Sequence, residues 1–172
     1  MQWNLLGSHK VDGLPPHAQF AAYAEAYLDS AERLCRVLAR SHKQATFERG
    51  VVVLFMASHA FELFLKGAIL RRSPNERFGH DLDHLHKRYK ALFSAKRFHL
   101  PNPFQTSYGS LSKKEISAAK VQQPDNSELF RYPRDKKYQS WGGVHGFEAT
   151  SFLGVLSAVR ADFTRVLHAL DG

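Results

Sequence analysis

Apolar and polar positions alternate along this chain with the period of helices. The most apolar stretch runs from Phe47 to Arg72. At about 100° per residue, Phe47, Val51, Leu54, Phe61 and Leu65 fall on one face. Gly50, Ala57, Ala60 and Gly67 form a stripe of small residues where a second helix can approach closely, and Val52 and Phe55 extend the apolar surface. A helix apolar on nearly all sides is expected at the centre of a bundle. Its one polar stripe is His59, Glu62 and Lys66, at i, i+3 and i+7. Polar groups there are costly unless paired.

Three further helices follow from the same reading. Phe20, Tyr23, Ala24, Tyr27, Ala31, Leu34, Cys35 and Leu38 predict a helix from Pro16 to Ser41. Asp29–Arg33 and Glu32–Arg36 are i,i+4 pairs with the acid first, expected on its solvated face. The short connection to the central helix predicts antiparallel neighbours. Ser73-Pro74-Asn75 ends the central helix. Gly79-His80-Asp81-Leu82 opens the next, with Asp81 as N-cap or first-turn acid and Gly79 permitting a sharp turn. Its apolar face is Leu82, Leu85, Tyr89, Leu92 and Phe93. The last helix spans Phe147 to Leu170, with Phe152, Leu153, Leu156, Val159, Phe163, Val166, Leu167 and Leu170 inward.

Between these lies an irregular insertion, residues 96–146, punctuated by Pro101, Pro103, Pro124 and Pro133. Ser112-Lys113-Lys114-Glu115 reads as a capping box opening a short helix to Lys120. Residues 1–15 read as a loose arm. The expected fold is all-α: one domain over residues 1–172, an antiparallel up-and-down bundle of four to five main helices with an irregular insertion before the last.

Composition narrows this picture. A chain of 172 residues, 44% hydrophobic, can enclose a sizeable core. Cys35 is the single cysteine, so no internal disulfide forms, which suits a reducing cytosol. The N-terminal stretch lacks the pattern of a signal peptide. His59, Glu62 and Lys66 interrupt the apolar run and argue against a membrane span. A cytoplasmic protein is expected. The net charge of +8 favours polyanionic partners.

Three constellations invite chemistry. His59, Glu62 and Lys66 with His80 and Asp81 read either as a polar pocket or as a buried structural network. Phe130-Arg131-Tyr132-Pro133-Arg134-Asp135-Lys136-Lys137-Tyr138 and Trp141 interleave rings with cations. That pattern suits single-stranded nucleic acid or, equally, a solvated loop tucked onto the bundle. His80, His84 and His86 with Asp81 and Asp83 have poor spacing for a metal, so no metal or other cofactor is expected. No glycine-rich phosphate loop or Gly-x-Ser-x-Gly nucleophile elbow occurs.

His59 through Leu70, then Gly79 through Leu85, then Phe130-Arg131-Tyr132-Pro133 resemble, in order and spacing, the HEPN-like prokaryotic helical domains (higher eukaryotes and prokaryotes nucleotide-binding), over residues 17–170. The resemblance implies an antiparallel bundle, homodimerisation, RNA or nucleotide as ligand, and a role in defence, toxin–antitoxin or regulatory systems, with a partner protein encoded nearby. It implies a binding site of His59, Glu62, Lys66, His80, Asp81, Arg131 and Tyr132. Lys66 and Arg131 would meet phosphate, oriented by Glu62 and Asp81. Ribonuclease members place an Arg four to six residues before a His near the start of a late helix. This chain departs there: Arg36 and His42, with five residues between, lie at the end of the first helix, and residues 96–172 hold no such pair. Binding without catalysis is therefore the expectation. A divergent metal-independent ribonuclease and a structural interaction module are the alternatives.

Overall fold

Helix-forming runs bounded by proline and small polar residues become helices at nearly the expected limits. The computed structural model describes residues 7–105, 112–122, 130–132, 134 and 147–172. Its helices are α1 (His9–Asp12), α2 (Pro16–Arg40), α3 (Phe47–Arg72), α4 (Leu82–Leu92), a 3₁₀ turn (Lys96–Phe98), α5 (Lys113–Gln122) and α6 (Ala149–Asp171). No β-strand occurs among the described residues. Pro16 opens α2 at a position where its missing N–H costs nothing. Asp81 caps α4, accepting the His84 amide at 3.0 Å. Glu148 caps α6 through the Thr150 and Ser151 amides. Ser112 and Glu115 close the expected capping box at α5. Within the supposed loose arm, α1 adds one short turn of helix.

The result is an all-α antiparallel bundle with an irregular segment before its last helix. α2 and α3 pack antiparallel along most of their length, and α6 lies against both. Phe61, Leu65, Ile69, Leu28, Leu156 and Phe163 are fully buried at its centre. Phe64 and Phe163 stack with centroids 3.8 Å apart. α3 is long and apolar enough to cross a membrane by length and composition alone, yet 67% of its most apolar window is buried inside the bundle.

The small-residue stripe on α3 does what its pattern predicts. A Cβ added to Gly67 would lie 3.0 Å from the His17 carbonyl of α2, and one added to Gly50 would lie 2.7 Å from the Phe147 ring. The ends of α3 depart from the expected face. Phe47 and Val52 are exposed, although Gly50 and Val53 in the same turns are buried, so the buried face there is narrower than helical angles alone reveal. On α2, Tyr23 is exposed and Leu28 is fully buried. The buried face is rotated toward Ala24, Leu28, Ala31 and Cys35 because α6 covers that side.

The path from α3 to α4 also differs from a simple antiparallel hairpin. The connection itself doubles back along α3, placing Phe78 by Lys66 and His80 by Glu62. α4 then returns, so that Phe93 meets Arg72 near the end of α3. Arg88 holds the connection through a two-pronged pair with Glu76, at 2.6 and 2.8 Å. Gly79 needs no left-handed backbone, and a side chain there would meet open space. The turn is therefore made without glycine's special freedom.

Candidate functional site

The doubled-back connection creates the site by laying His80 against the polar stripe of α3. Glu62 is buried, and Lys66 Nζ donates to its Oε1 at 2.6 Å from one helical turn away. His80 Nδ1 meets the same oxygen at 3.0 Å, while two-thirds of the His80 side chain stays exposed. His59 Nδ1 lies 3.6 Å from Oε2, an ion-pair distance. Burial pushes the Glu62 carboxyl up, but the contacts from His59, Lys66 and His80 outweigh it and hold the group down at about 2. Glu62 is thus an anion at any physiological pH, surrounded by three potential cations.

Aromatic rings carry this network toward the surface. His59 stacks on Phe55, with centroids 5.6 Å apart and planes 8° apart, and meets the edge of Tyr27 at 4.7 Å. Arg131 sets its guanidinium over the Phe55 ring at 5.3 Å, a cation–π contact. Lys66 lies 6.0 Å from the Phe78 ring. A path therefore runs from exposed Arg131 through Phe55 and His59 to buried Glu62.

Most of the expected site residues converge, and one does not. His59, Glu62, Lys66 and His80 meet at one carboxylate, and Arg131 joins through Phe55. Tyr132 stands exposed beside Arg131. Asp81 faces the α4 N-terminus instead and forms no ion pair with Lys66 or Arg131 among the described residues. The N-cap role takes its carboxylate, whose Oδ1 accepts the His84 amide. Pro133, Asp135–Tyr138 and Trp141 lie outside the described residues.

The histidines of α4 do not form a ligand cluster. Buried His86 donates Nε2–H to the Leu100 carbonyl at 2.7 Å, and burial lowers its pKa so the ring stays neutral. Exposed His84 belongs to the solvent side of α4. Among the described residues, no three His, Cys, Asp or Glu side chains are grouped to hold a metal.

Two features escape the sequence reading. Glu32, expected on a solvated face, is buried. Arg160 of α6 reaches its Oε1 with Nε at 2.6 Å, and Arg36 holds Oε2 at 2.8 Å. Only Asp29–Arg33 is an exposed pair of the kind expected. The second feature is a further Arg–His pair at the ribonuclease spacing. Arg77, in the connection, and His84, in the first turn of α4, have six residues between them, flank His80 in sequence and are both exposed. Counting forward from every arginine would have found it.

Cys35 is buried and donates Sγ–H to the Ala149 carbonyl at 3.3 Å. Burial, aided by the nearby Glu148 charge, pushes the thiol up to about 11, so it serves packing and not nucleophilic attack. No known family, curated protein or solved structure matches the chain.

Proposed function

We propose that this protein is a HEPN-like nucleotide- or RNA-binding domain, acting in the cytoplasm as a homodimeric component of a prokaryotic defence, toxin–antitoxin or regulatory system. One observation carries the reading. A buried carboxylate, Glu62, anchors Lys66, His80 and His59 while the exposed Arg131, packed on Phe55, faces solvent next to Tyr132. Cations beside accessible rings suit phosphate and base together. The net charge of +8 supplies long-range attraction. The doubled-back segment 79–85 and α3 segment 59–70 are also the segments that resemble the HEPN family, and here they touch.

The test uses a fluorescein-labelled single-stranded RNA oligomer and, separately, ATP. Arg131→Ala should weaken binding of at least one of them about tenfold, the scale of one charge-assisted contact, with Tm nearly unchanged. An equal loss of Tm in Arg131→Ala and Glu62→Ala, with no selective binding defect, would mean a purely structural network.

A second reading, a metal-independent ribonuclease, is favoured by Arg77 and His84. Both are exposed and flank His80 in sequence, at the spacing of the family's ribonucleases. His84 would act as general base and Arg77 would stabilise developing charge. RNA cleavage that persists in EDTA and disappears in His84→Ala supports this reading. RNA binding without cleavage leaves the binding domain alone.

A further inference from the structure

On the side of α3 opposite Glu62 and Lys66, a cleft of about 320 Å³ opens where α2 begins and where α3 and α6 end. Ala18 and Ala21 of α2 keep it open, because larger side chains there would fill it, while Gly67 of α3 lets the two backbones approach closely at its edge. Phe64 and Leu167 supply apolar walls. A volume near the lower end of the range for small-molecule sites suits one compact ligand.

The mouth of the cleft determines which ligand. Arg71 and Asp171 both line it and pair at 2.7 Å. They are not equivalent partners. Arg71 is sheltered, its side chain 33% exposed, whereas Asp171 is 66% exposed in the last turn of α6. An exposed carboxylate contributes little to such a pair and is readily exchanged. α2 also begins at this end without a side-chain cap or a first-turn acid, so its dipole adds to the attraction for an anion.

We propose that this cleft binds a small monocarboxylate with an apolar body, the body lying against Phe64 and Leu167 and the carboxylate replacing Asp171 on Arg71. The site is separate from the Glu62 network and does not depend on the function proposed there.

Octanoate is the probe, titrated into the full chain by calorimetry, with octanol as the same body without charge. Octanoate should bind with Kd of ~1 mM or tighter. Octanol should bind at least about tenfold more weakly, because it cannot form the charged pair with Arg71. Arg71→Gln should erase that difference. Asp171→Asn, at an exposed position that does not threaten folding, should strengthen octanoate binding several-fold by removing the competitor. Ala18→Leu should abolish binding by filling the cleft, with Tm retained. Equal binding of octanol and octanoate, no binding of either, or weaker octanoate binding in Asp171→Asn would each overturn the proposal.

Discussion

Glu62 is the residue on which most turns. Its carboxyl is held near 2, below the ordinary value of 4.5, so the folded state favours the anion. The stability this contributes is fully present above pH 4.5 and is lost as pH falls through the folded value. The shift corresponds to about 3 kcal/mol at neutral pH. Denaturant melts of wild type and Glu62→Gln should therefore converge as pH falls from 5 toward 2, and parallel curves would exclude this linkage. Glu62→Ala leaves Lys66 buried without its partner and should cost roughly 3–5 kcal/mol. Glu62 and Lys66 were legible as a polar stripe. Their junction with His80 was legible only as a possibility, because the Nδ1 contact depends on the path of residues 73–81.

Among the elements, α2 and α3 meet through small residues and α2 and α6 through charge. Gly67→Ala would gain up to about 1 kcal/mol of helix propensity. Its Cβ would press on the His17 carbonyl at 3.0 Å, a backbone group that cannot rotate away. The crowding should win, with a net loss of about 1–2 kcal/mol in denaturant melts. Arg160 joins α6 to α2 at buried Glu32, with Glu25 and Asp29 each at 3.8 Å. Arg160→Ala leaves Glu32 with Arg36 alone and should cost about 2 kcal/mol, less than a fully buried pair because a third of Arg160 is exposed. Arg165 fastens α6 to the irregular segment by donating to the Arg97 carbonyl at 2.6 Å and to the His99 carbonyl.

For the whole molecule, the basic surface predicts salt-sensitive RNA binding. Neutralising three phosphates on a single strand would cost roughly 20-fold in affinity for a fourfold rise in salt. A flat response would point to a ligand recognised without phosphate. Light scattering should return twice the mass of one chain if the proposed homodimer forms, and a single-chain mass at micromolar concentration would remove that part of the proposal. Exposed Phe47, Val52 and Tyr132 leave apolar surface outside the core, which a dimer would be expected to use first.

By itself the sequence determined which long segments are helices and nearly where they stop, though it missed α1 and the Lys96–Phe98 turn. Periodicity, Pro16, Pro74, Asp81 and the Ser112–Glu115 box act within a few residues, and so does the physics they report. It also marked Gly67 for close approach and the Glu62 stripe as needing partners. Only the tertiary structure decided who those partners are. Glu32 looked solvated until α6 brought Arg160 across a separation of 128 residues. Asp81 looked like a member of the pocket until the His84 amide claimed it. Phe47 looked like core and is more than half exposed. Helical angle tells which way a side chain points. What stands there to meet it is set by how distant helices pack, and no local pattern carries that information.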